Sequence, residues 1–426
     1  MTAPKRLKVG IAGLGVVGGG LLALAARPDG PLSDIIEIVG VSARSRSRAR
    51  AIDISGLPWF DSASDLAAVE GLDVLVELMG GSDGPAKHAV ETALRRGVAV
   101  VTANKALLAE HGHELATLAE QNRAALRYEA AVAGGVPVIK VLREGLAANQ
   151  VTAVAGVLNG TCNYILTRME ASGASFADVL ADAQRLGYAE ADPTFDVGGF
   201  DAGHKLSILA ALCFGGAPNF SAVRIEGISA LEPVDIAAAR DLGRRIKLVG
   251  RARLVDDRLE QVVRPELLSR DHPLAGLEGA LNAVMIDAAP VGRITLVGPG
   301  AGAGPTASAV AADLIDLAHG GARPVFASAH SRFVTRPTAG EGGQGRFYVR
   351  LRVKDRPGVI AAVSDVLAHH GVSIETFSQK AVEDAARVPI VLTTQTVAEK
   401  ALRTALAEIA GLEAVVELPC LIKIDA

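Results

Sequence analysis

Cysteine and aromatic residues are both scarce in this chain. It has 3 cysteines, and phenylalanine, tyrosine and tryptophan together make up 4% of the residues. Cys162, Cys213 and Cys420 lie far apart, and none stands in a CxxC spacing. No disulfide framework is therefore indicated, and the composition fits a reducing compartment. We expect a cytoplasmic protein.

Long apolar runs and an excess of charge of one sign are also missing. No stretch of roughly 18 apolar residues predicts a membrane span, and the N-terminus leads from charged residues into a strand-like segment without the pattern of a signal peptide. The net charge is only −4, with no basic stripe. We therefore expect neither a membrane nor a nucleic-acid partner.

What the chain has in abundance is small and aliphatic residues. Hydrophobic residues make up 50% of its 426 residues, and Ala, Val, Leu and Gly dominate. A chain of this length exceeds one ordinary core, so we expect two or three domains. The composition favours closely packed strands and helices in an α/β protein.

The first motif is a glycine pattern between a predicted strand and a predicted helix. The segment 7–20 is LKVGIAGLGVVGGG, which contains GxGxxG in that setting. In a dinucleotide-binding fold Gly13 permits the tight turn, Gly15 lets the backbone approach a pyrophosphate, and Gly18 lets the helix pack on the strand. The N–H groups of the helix start would then bind phosphate. The alternative is a glycine-rich turn in another α/β protein.

An acid after the second strand, which is typical of NAD-specific folds, is absent. The predicted strand 35–41 is followed by SARSRSR, with three arginines. A carboxylate would repel a ribose 2′-phosphate, whereas arginine can bind one through two parallel hydrogen bonds. The loop favours NADP, with Arg44 as the best single candidate. The alternative is a solvated basic loop.

Further apolar segments at 73–79, 98–102 and 126–131 predict parallel strands of the same sheet. Ligands bind beyond the carboxyl ends of such strands, where a TANK segment and an EAAVAGGV segment follow. Lys105, in the first of these, is either a cation that faces the ligand or an ordinary first-turn lysine. Spacing alone does not decide between them.

The stretch 187–209, GYAEADPTFDVGGFDAGHKLSIL, joins an acidic loop to an apolar helix. Asp201 and Lys205 are four residues apart and share one helical face. The nine residues after Lys205 leave almost no polar face, so the helix should be buried. Partial desolvation of this amine would suit it to proton transfer. The alternative is an ordinary surface ion pair, and the spacing leaves both open.

Other segments complete a second unit. The segment 151–166 predicts a strand, a turn and a helix that Thr161 could cap. Cys162 stands at this helix start, but with no histidine beside it we prefer a packed thiol to a nucleophile. Strands are predicted at 222–228, 246–253, 259–263, 282–287 and 294–297, with a helix at 235–242. The glycine-rich segment 298–306 then opens a helix to His319 that could close over the cofactor; its alternative is a flexible linker.

The C-terminal residues predict a βαββαβ unit, a ferredoxin-like pattern. A strand, a DRPGV turn, a helix and the remaining elements in this order resemble an ACT domain. ACT domains bind amino acids as regulators, so we expect an amino-acid effector. The family resemblance described next implies that this effector is threonine. The alternative is an ACT-like dimerisation unit that binds nothing.

Six motifs in this order resemble the homoserine dehydrogenase family over almost the whole chain. They are GLGVVG, TANKALLA, EAAVAGGVPVI, GVLNGTCNYILTRM, GYAEADPTFDVGGFDAGHKLSIL and GPGAGAGPTASAV. The resemblance implies reversible, nicotinamide-dependent oxidation of L-homoserine to L-aspartate 4-semialdehyde, in the pathway to threonine, methionine and isoleucine. It also implies a homodimer or homotetramer.

The resemblance assigns roles residue by residue. Lys205 matches the general acid/base, Asp201 the carboxylate beside it that contacts substrate, and Glu190 the acid that holds the substrate's amino group. Lys105 matches a lysine near the nicotinamide and substrate. The implied cofactor contacts are Gly13, Leu14, Gly15, Val17, Gly18, Arg44, Thr102, Lys105, Gly187 and Gly302. An implied Na⁺ or K⁺ site comprises Glu129 and the backbone carbonyls of Val132, Gly134 and Val136.

These inferences predict a Rossmann-type NADP-binding domain (1–135, with a return helix at 304–319) and an α+β catalytic and dimerisation domain (136–303). A linker (320–345) and an ACT domain (346–426) follow. Two other functions are weighed against this one. Another semialdehyde dehydrogenase would need a thiol with a basic partner, which no cysteine here has. A catalytically silent NADP- and amino-acid-sensing regulator would have no use for the set Glu190, Asp201 and Lys205.

Overall fold

The computed structural model describes residues 6–50, 52–320, 323–326, 333, 336–339, 342–379 and 386–425. Much of the predicted linker therefore lies outside the described residues. None of the helices in the described ranges combines the length and apolar character that a bilayer crossing requires.

The N-terminal unit is a parallel sheet with helices on both faces. Its elements are β1 (Leu7–Ala12), α1 (Val16–Ala25), β2 (Ile36–Ser42), β3 (Trp59–Phe60), α2 (Ala63–Ala67), β4 (Val74–Glu77), α3 (Pro85–Arg95), β5 (Ala99–Thr102), α4 (Lys105–Gln121) and β6 (Leu126–Arg127). The strand order is β3-β2-β1-β4-β5-β6, and every pairing is parallel. This is the order of a dinucleotide-binding domain, in which the ligand binds where the order reverses, beside β1.

The middle unit is an antiparallel sheet, in the order β12-β11-β7-β9-β10, packed against helices. Its elements are α5 (Val138–Lys140), which continues as a π-helical turn (Val141–Gly145), β7 (Gln150–Val157), α6 (Gly160–Ser172), α7 (Phe176–Arg185), α8 (Thr194–Val197), α9 (Phe200–Phe214), β8 (Arg224–Ile225), α10 (Pro233–Asp241), β9 (Arg244–Val255), β10 (Arg258–Ser269), β11 (Leu281–Ala289), β12 (Gly292–Pro299) and α11 (Ala303–His319). Helix α11 returns to the first unit and packs against α1. A Cβ on Gly20 would lie 2.4 Å from the carbonyl oxygen of Ala303, so the glycine permits this close approach.

Helix α9 is buried as its lack of a polar face predicts, with every residue from 201 to 212 buried. Glycine is unfavourable inside a helix, but close packing explains its presence at position 203. A Cβ there would lie 2.7 Å from Cδ1 of Ile225 and 3.0 Å from Cε2 of Phe220. The glycine therefore lets the helix lie close against the segment that carries β8.

Two predicted strands are reduced to two residues each in the structure. The strand predicted at 126–131 ends at Arg127, because Glu129–Ala131 forms a 3₁₀ turn and the Glu129 N–H donates to Asp313 instead of a strand neighbour. The strand predicted at 222–228 is reduced to Arg224–Ile225. Gly227 leaves the sheet to pack on α8, where a Cβ would lie 2.4 Å from the Val197 carbonyl oxygen.

The C-terminal unit has the predicted ferredoxin-like topology. Its elements are β13 (Gln344–Val353), α12 (Val359–His369), β14 (Ile374–Gln379), β15 (Val388–Thr394), the short β16 (Val397–Ala398), α13 (Glu399–Ala410) and β17 (Cys420–Ile424). The strand order is β17-β13-β15-β14, all antiparallel. Alternate residues of β13 face opposite sides. Phe347, Val349 and Leu351 enter the core beneath α12 and α13, whereas Tyr348 and Arg350 face α10.

The last two units share one sheet. Strand β17 pairs in parallel with β10, so the C-terminal and middle sheets form a continuous eleven-stranded sheet. Buried ion pairs reinforce the junction. Asp235 accepts from Tyr348 Oη at 2.7 Å and from Arg350 Nε at 2.8 Å, and Arg264 Nη1 donates to Glu399 Oε2 at 2.9 Å. Every charge named here has a partner, as buried charges require.

Candidate active site

Lys205 and Asp201 form a buried ion pair at the start of α9. Nζ of Lys205 donates to Oδ2 of Asp201 and to the carbonyl oxygen of Leu158, both at 2.7 Å. The two residues are 9% and 4% exposed. An ammonium has three N–H donors, and in the described part of the chain the third has no acceptor. The interpretation as an ordinary surface pair is therefore wrong.

Lys105 approaches the same carboxylate from the N-terminal unit. Its Nζ lies 3.1 Å from Oδ1 of Asp201. It begins α4, where Asn104 accepts a capping hydrogen bond from Leu107 N at 3.1 Å. Burial would raise the pKa of Asp201, but the charges of Lys205 and Lys105 outweigh burial and hold that pKa below its ordinary value. The carboxylate stays ionised between two cations.

Three further polar residues complete this cluster. Asn159 Nδ2 donates to Asp196 Oδ1 at 2.7 Å and to Asp201 Oδ2 at 2.8 Å. His204 packs against Phe220, with ring centroids 4.1 Å apart. Burial and the charge of Lys105 lower the pKa of His204 to about 4, so the imidazole is neutral beside the two lysines. Neither Asn159 nor His204 was assigned a role from the sequence.

The glycines of the first motif shape a cradle at the start of α1. Gly13 has φ +103° and a Cβ there would lie 2.5 Å from Leu78 O, while a Cβ on Gly18 would lie 2.1 Å from Gly13 O. A Cβ on Gly15 would meet nothing within 4 Å. It borders a cavity of about 400 Å³ lined also by Leu14, Arg48, Arg50 and Ala303. Open backbone and nearby arginines suit a dinucleotide's phosphates.

The arginine loop after β2 is held by Arg50 rather than by Arg44. Arg50 donates to the carbonyl oxygens of Ser45 at 2.5 Å and Arg48 at 2.8 Å, and its guanidinium lies 5.8 Å from the Trp59 ring centroid. Arg44 is exposed, and among the described residues its guanidinium has no hydrogen-bonding or ionic partner. The loop is thus ordered by one arginine while another is available to a ligand.

Comparisons with known proteins agree over the full length. Family models described as "Homoserine dehydrogenase, NAD binding domain", "Homoserine dehydrogenase" and "ACT domain" match residues 13–129, 137–315 and 347–413. The homoserine dehydrogenase of Neisseria gonorrhoeae is 43% identical, with 99% of each chain covered. The chain belongs to the homoserine dehydrogenase family.

Solved homoserine dehydrogenase structures share the fold. That from Thiobacillus denitrificans has a TM-score of 0.90 and 40% identity over 99% of this chain and 98% of that one. A hyperthermophilic archaeal homoserine dehydrogenase in complex with NADPH has a TM-score of 0.62 and 28% identity, covering 73% and 97%. The predicted fold class is confirmed, and so is the predicted function, an NAD(P)-dependent oxidoreductase of the aspartate pathway. The matches support neither alternative function.

In this member of the homoserine dehydrogenase family, some of the predicted site residues make no bond to Asp201 or Lys205 in the described residues. Glu190 is exposed in the loop between α7 and α8. Its carbonyl oxygen accepts from Gln184 Nε2 at 3.0 Å, and in the described residues its carboxylate has no bond to Asp201 or Lys205. Gly187 and Gly302 have φ of +79° and +125°. Both positions stay predictions, as does the contact of Val17, which packs its side chain against the core around β1.

Thr102 is buried at the end of β5, and its hydroxyl is occupied within the protein. It donates to Glu77 Oε2 at 2.6 Å and accepts from Asn104 N at 2.9 Å. Glu77 Oε1 accepts from Met79 N at 2.7 Å. Burial raises the pKa of Glu77. Glu77 orders the chain after β4, but it was not identified from the sequence. The one sequence signal for it was an acidic residue inside a predicted buried strand.

The helix-cap prediction was wrong. Asn159, not Thr161, caps α6 by accepting from Cys162 N at 2.7 Å, while the Thr161 hydroxyl donates to Tyr188 O at 2.9 Å. Cys162 is fully buried, and burial raises the pKa of its thiol well above the usual value. Its Sγ donates to Asp196 O at 3.2 Å. The preferred interpretation as a packed thiol is supported.

Proposed function

We propose that this member of the family interconverts L-homoserine and L-aspartate 4-semialdehyde with NADP, and that Lys205 is the general acid/base. The supporting observation is a buried ammonium with two fixed acceptors, whose third N–H has no acceptor in the described residues, beside a carboxylate that Lys105 also contacts. Proton transfer to a substrate oxygen requires an available N–H on an amine whose position is fixed.

Reduction of the aldehyde needs a hydride at carbon and a proton at oxygen. The nicotinamide cofactor supplies or accepts the hydride when bound. Lys205 gives its proton to the oxygen as negative charge develops there, and in the oxidation of homoserine the neutral amine takes the proton back. Asp201 holds the amine in place. Lys105 and Glu190 contact the substrate, with Glu190 on its ammonium group.

NADP is the proposed physiological cofactor because the loop after β2 presents arginine where an NAD-specific fold presents an acid. Arg44 is exposed and free of partners in the described residues, so its guanidinium can bind a 2′-phosphate. Leu14, Gly15 and Thr102 lie along the same edge of the parallel sheet.

An alkali cation at the loop after β6 is a further proposal. In the described residues no three acidic, histidine or cysteine side chains gather as metal ligands, so a cation here would depend on the carbonyls of Val132, Gly134 and Val136. Glu129 would add charge, although its two carboxylate oxygens already accept from Ile139 N and Lys140 N at 2.9 Å. Each oxygen keeps a second lone pair.

Threonine is the proposed effector of the ACT unit. The route to the active site is short. Arg403 on α13 pairs with Glu399 and with Glu226, just after β8, and two residues later Ile228 N donates to the Val197 carbonyl oxygen of α8 at 2.9 Å. A shift of α13 would therefore act on the element that carries Asp196. A homodimer or homotetramer and a cytoplasmic location stay predictions.

Replacing Lys205 with methionine should lower kcat by about 10²-fold or more, the typical contribution of a general acid/base. NADPH affinity, followed by fluorescence titration, should be unchanged because the hydrogen bonds of the Lys205 amine in the described residues go to Asp201 and Leu158. Lys400→Met, at an exposed site on α13, is the matched control. Near-normal turnover of Lys205→Met would contradict its role.

Arg44→Ala should raise KM for NADP⁺ about tenfold, the size of one lost charge-assisted hydrogen bond. KM for NAD⁺ should stay constant, because that dinucleotide lacks the 2′-phosphate. Steady-state kinetics with both dinucleotides measure this, with Arg27→Ala beyond the far end of α1 as control. Equal changes for both dinucleotides would remove Arg44 from the proposal.

Activity in KCl or NaCl should exceed activity in choline chloride at equal ionic strength, since choline is too large for carbonyl coordination. Initial rates over a salt titration measure this, and saturation at low millimolar salt would separate binding from screening. Identical rates in all three salts would dismiss the cation site.

Threonine should raise the melting temperature, as any ligand of the folded state does, and should lower turnover. Glu226→Gln breaks the ion pair with Arg403, so it should keep the thermal shift but weaken the effect of threonine on rate. Asp257→Asn, which removes a surface ion pair with Arg336 on another loop, is the control. If threonine changes neither quantity in the unaltered protein, the effector proposal is wrong.

A further inference from the structure

Asn159 lies between β7 and α6, and all but one of the hydrogen-bonding positions of its side chain are filled. Its Nδ2 donates one N–H to Asp196 Oδ1 at 2.7 Å and the other to Asp201 Oδ2 at 2.8 Å. Its Oδ1 accepts from Cys162 N at 2.7 Å. The side chain is 4% exposed. One amide thus links three helices, α6, α8 and α9.

The orientation of this amide is set by its neighbours. The reverse orientation would place Oδ1 against two carboxylates and Nδ2 against a backbone N–H, which leaves every contact without a donor–acceptor match. Only an amide offers this combination of two donors and one acceptor. Aspartate would keep the acceptor and lose both donors, and serine would cap the helix without reaching the carboxylates.

The two carboxylates need such a link because they repel each other. Burial, together with the charge of Asp201, raises the pKa of Asp196. Asp201 has lysines on both sides, whereas Asp196 has no ionic partner in the described residues. An N–H donated to each carboxylate holds them together in place of a cation.

The consequence reaches Lys205 directly. Oδ2 of Asp201 accepts from both Asn159 and Lys205, and the residue before Asn159, Leu158, supplies the other acceptor of the lysine. The Leu158 carbonyl oxygen is itself fixed by Asn282 Nδ2 at 2.9 Å. The dipeptide 158–159 therefore sets the amine from two sides.

We propose that Asn159 is a positioning residue for proton transfer: one N–H of its amide holds Asp201 and the other holds Asp196 beside it, so that the third N–H of Lys205 meets the substrate oxygen. This inference rests on the proposed role of Lys205. A helix cap alone would not need an amide, because serine and aspartate cap as well as asparagine does.

Two variants separate positioning from capping. Asn159→Ser keeps a good cap and removes both donors, so kcat for homoserine oxidation should fall about tenfold or more while KM for NADP⁺ is unchanged. Asn159→Asp keeps the cap and adds a negative charge beside the pair. An added negative charge favours the protonated state of the site, so the pH at which kcat for homoserine oxidation rises should move up by about one unit.

The matched control is Asn149→Ser just before β7, where the side chain accepts from Val291 N at 3.1 Å and makes no other hydrogen bond in the described residues. It should leave both kcat and the pH profile unchanged. Melting temperatures and NADPH titrations report whether each variant folds and binds cofactor.

A folded Asn159→Ser variant with kcat within twofold of the unaltered protein would overturn the inference. So would an unmoved pH profile in Asn159→Asp. If these variants keep full activity while Lys205→Met loses it, only the positioning role fails. If Lys205→Met also keeps activity, the proposed mechanism fails together with the positioning role of Asn159.

Discussion

The structure depends on one buried carboxylate held between two ammonium groups. Asp201 and Lys205 come from one helix and Lys105 from another domain, so the charge balance of the site exists only when the N-terminal and middle units are in contact. Removing one partner of a buried ion pair leaves an uncompensated charge and costs about 3–5 kcal/mol. The carboxylate is therefore both a part of the site and a constraint on how the two units meet.

A similar constraint joins the middle unit to the ACT unit. A continuous sheet would permit several registers if its faces were only apolar. Asp235 with Arg350 and Glu399 with Arg264 add buried charges that are satisfied in a single alignment. Such pairs contribute little net stability but penalise every wrong arrangement. The ACT unit is thus fixed to strand β10, whose other neighbour, β9, belongs to the sheet beneath α9.

Local patterns predicted the elements well wherever a single physical requirement decided them. The glycines at 13, 15 and 18 identified the cradle, because a turn, an open surface and a close helix contact each exclude a side chain. The apolar run after Lys205 predicted a buried helix. Strand ends were predicted less well, since Glu129 and Gly227 leave their sheets for partners, Asp313 and Val197, that are distant in sequence.

By itself the sequence determined the Rossmann-type, α+β and ferredoxin-like units, the family, and the pairing of Asp201 with Lys205, because these follow from short-range spacing and ordered motifs. Only the tertiary structure decided that Asn159 links two carboxylates, that Glu77 orders the chain after β4, and that the Glu190 carboxylate is exposed without a bond to Asp201 or Lys205 in the described residues. Asn159 lies 37 and 42 residues from the carboxylates it joins. A hydrogen bond depends on distance in space, and no periodicity along the chain records it.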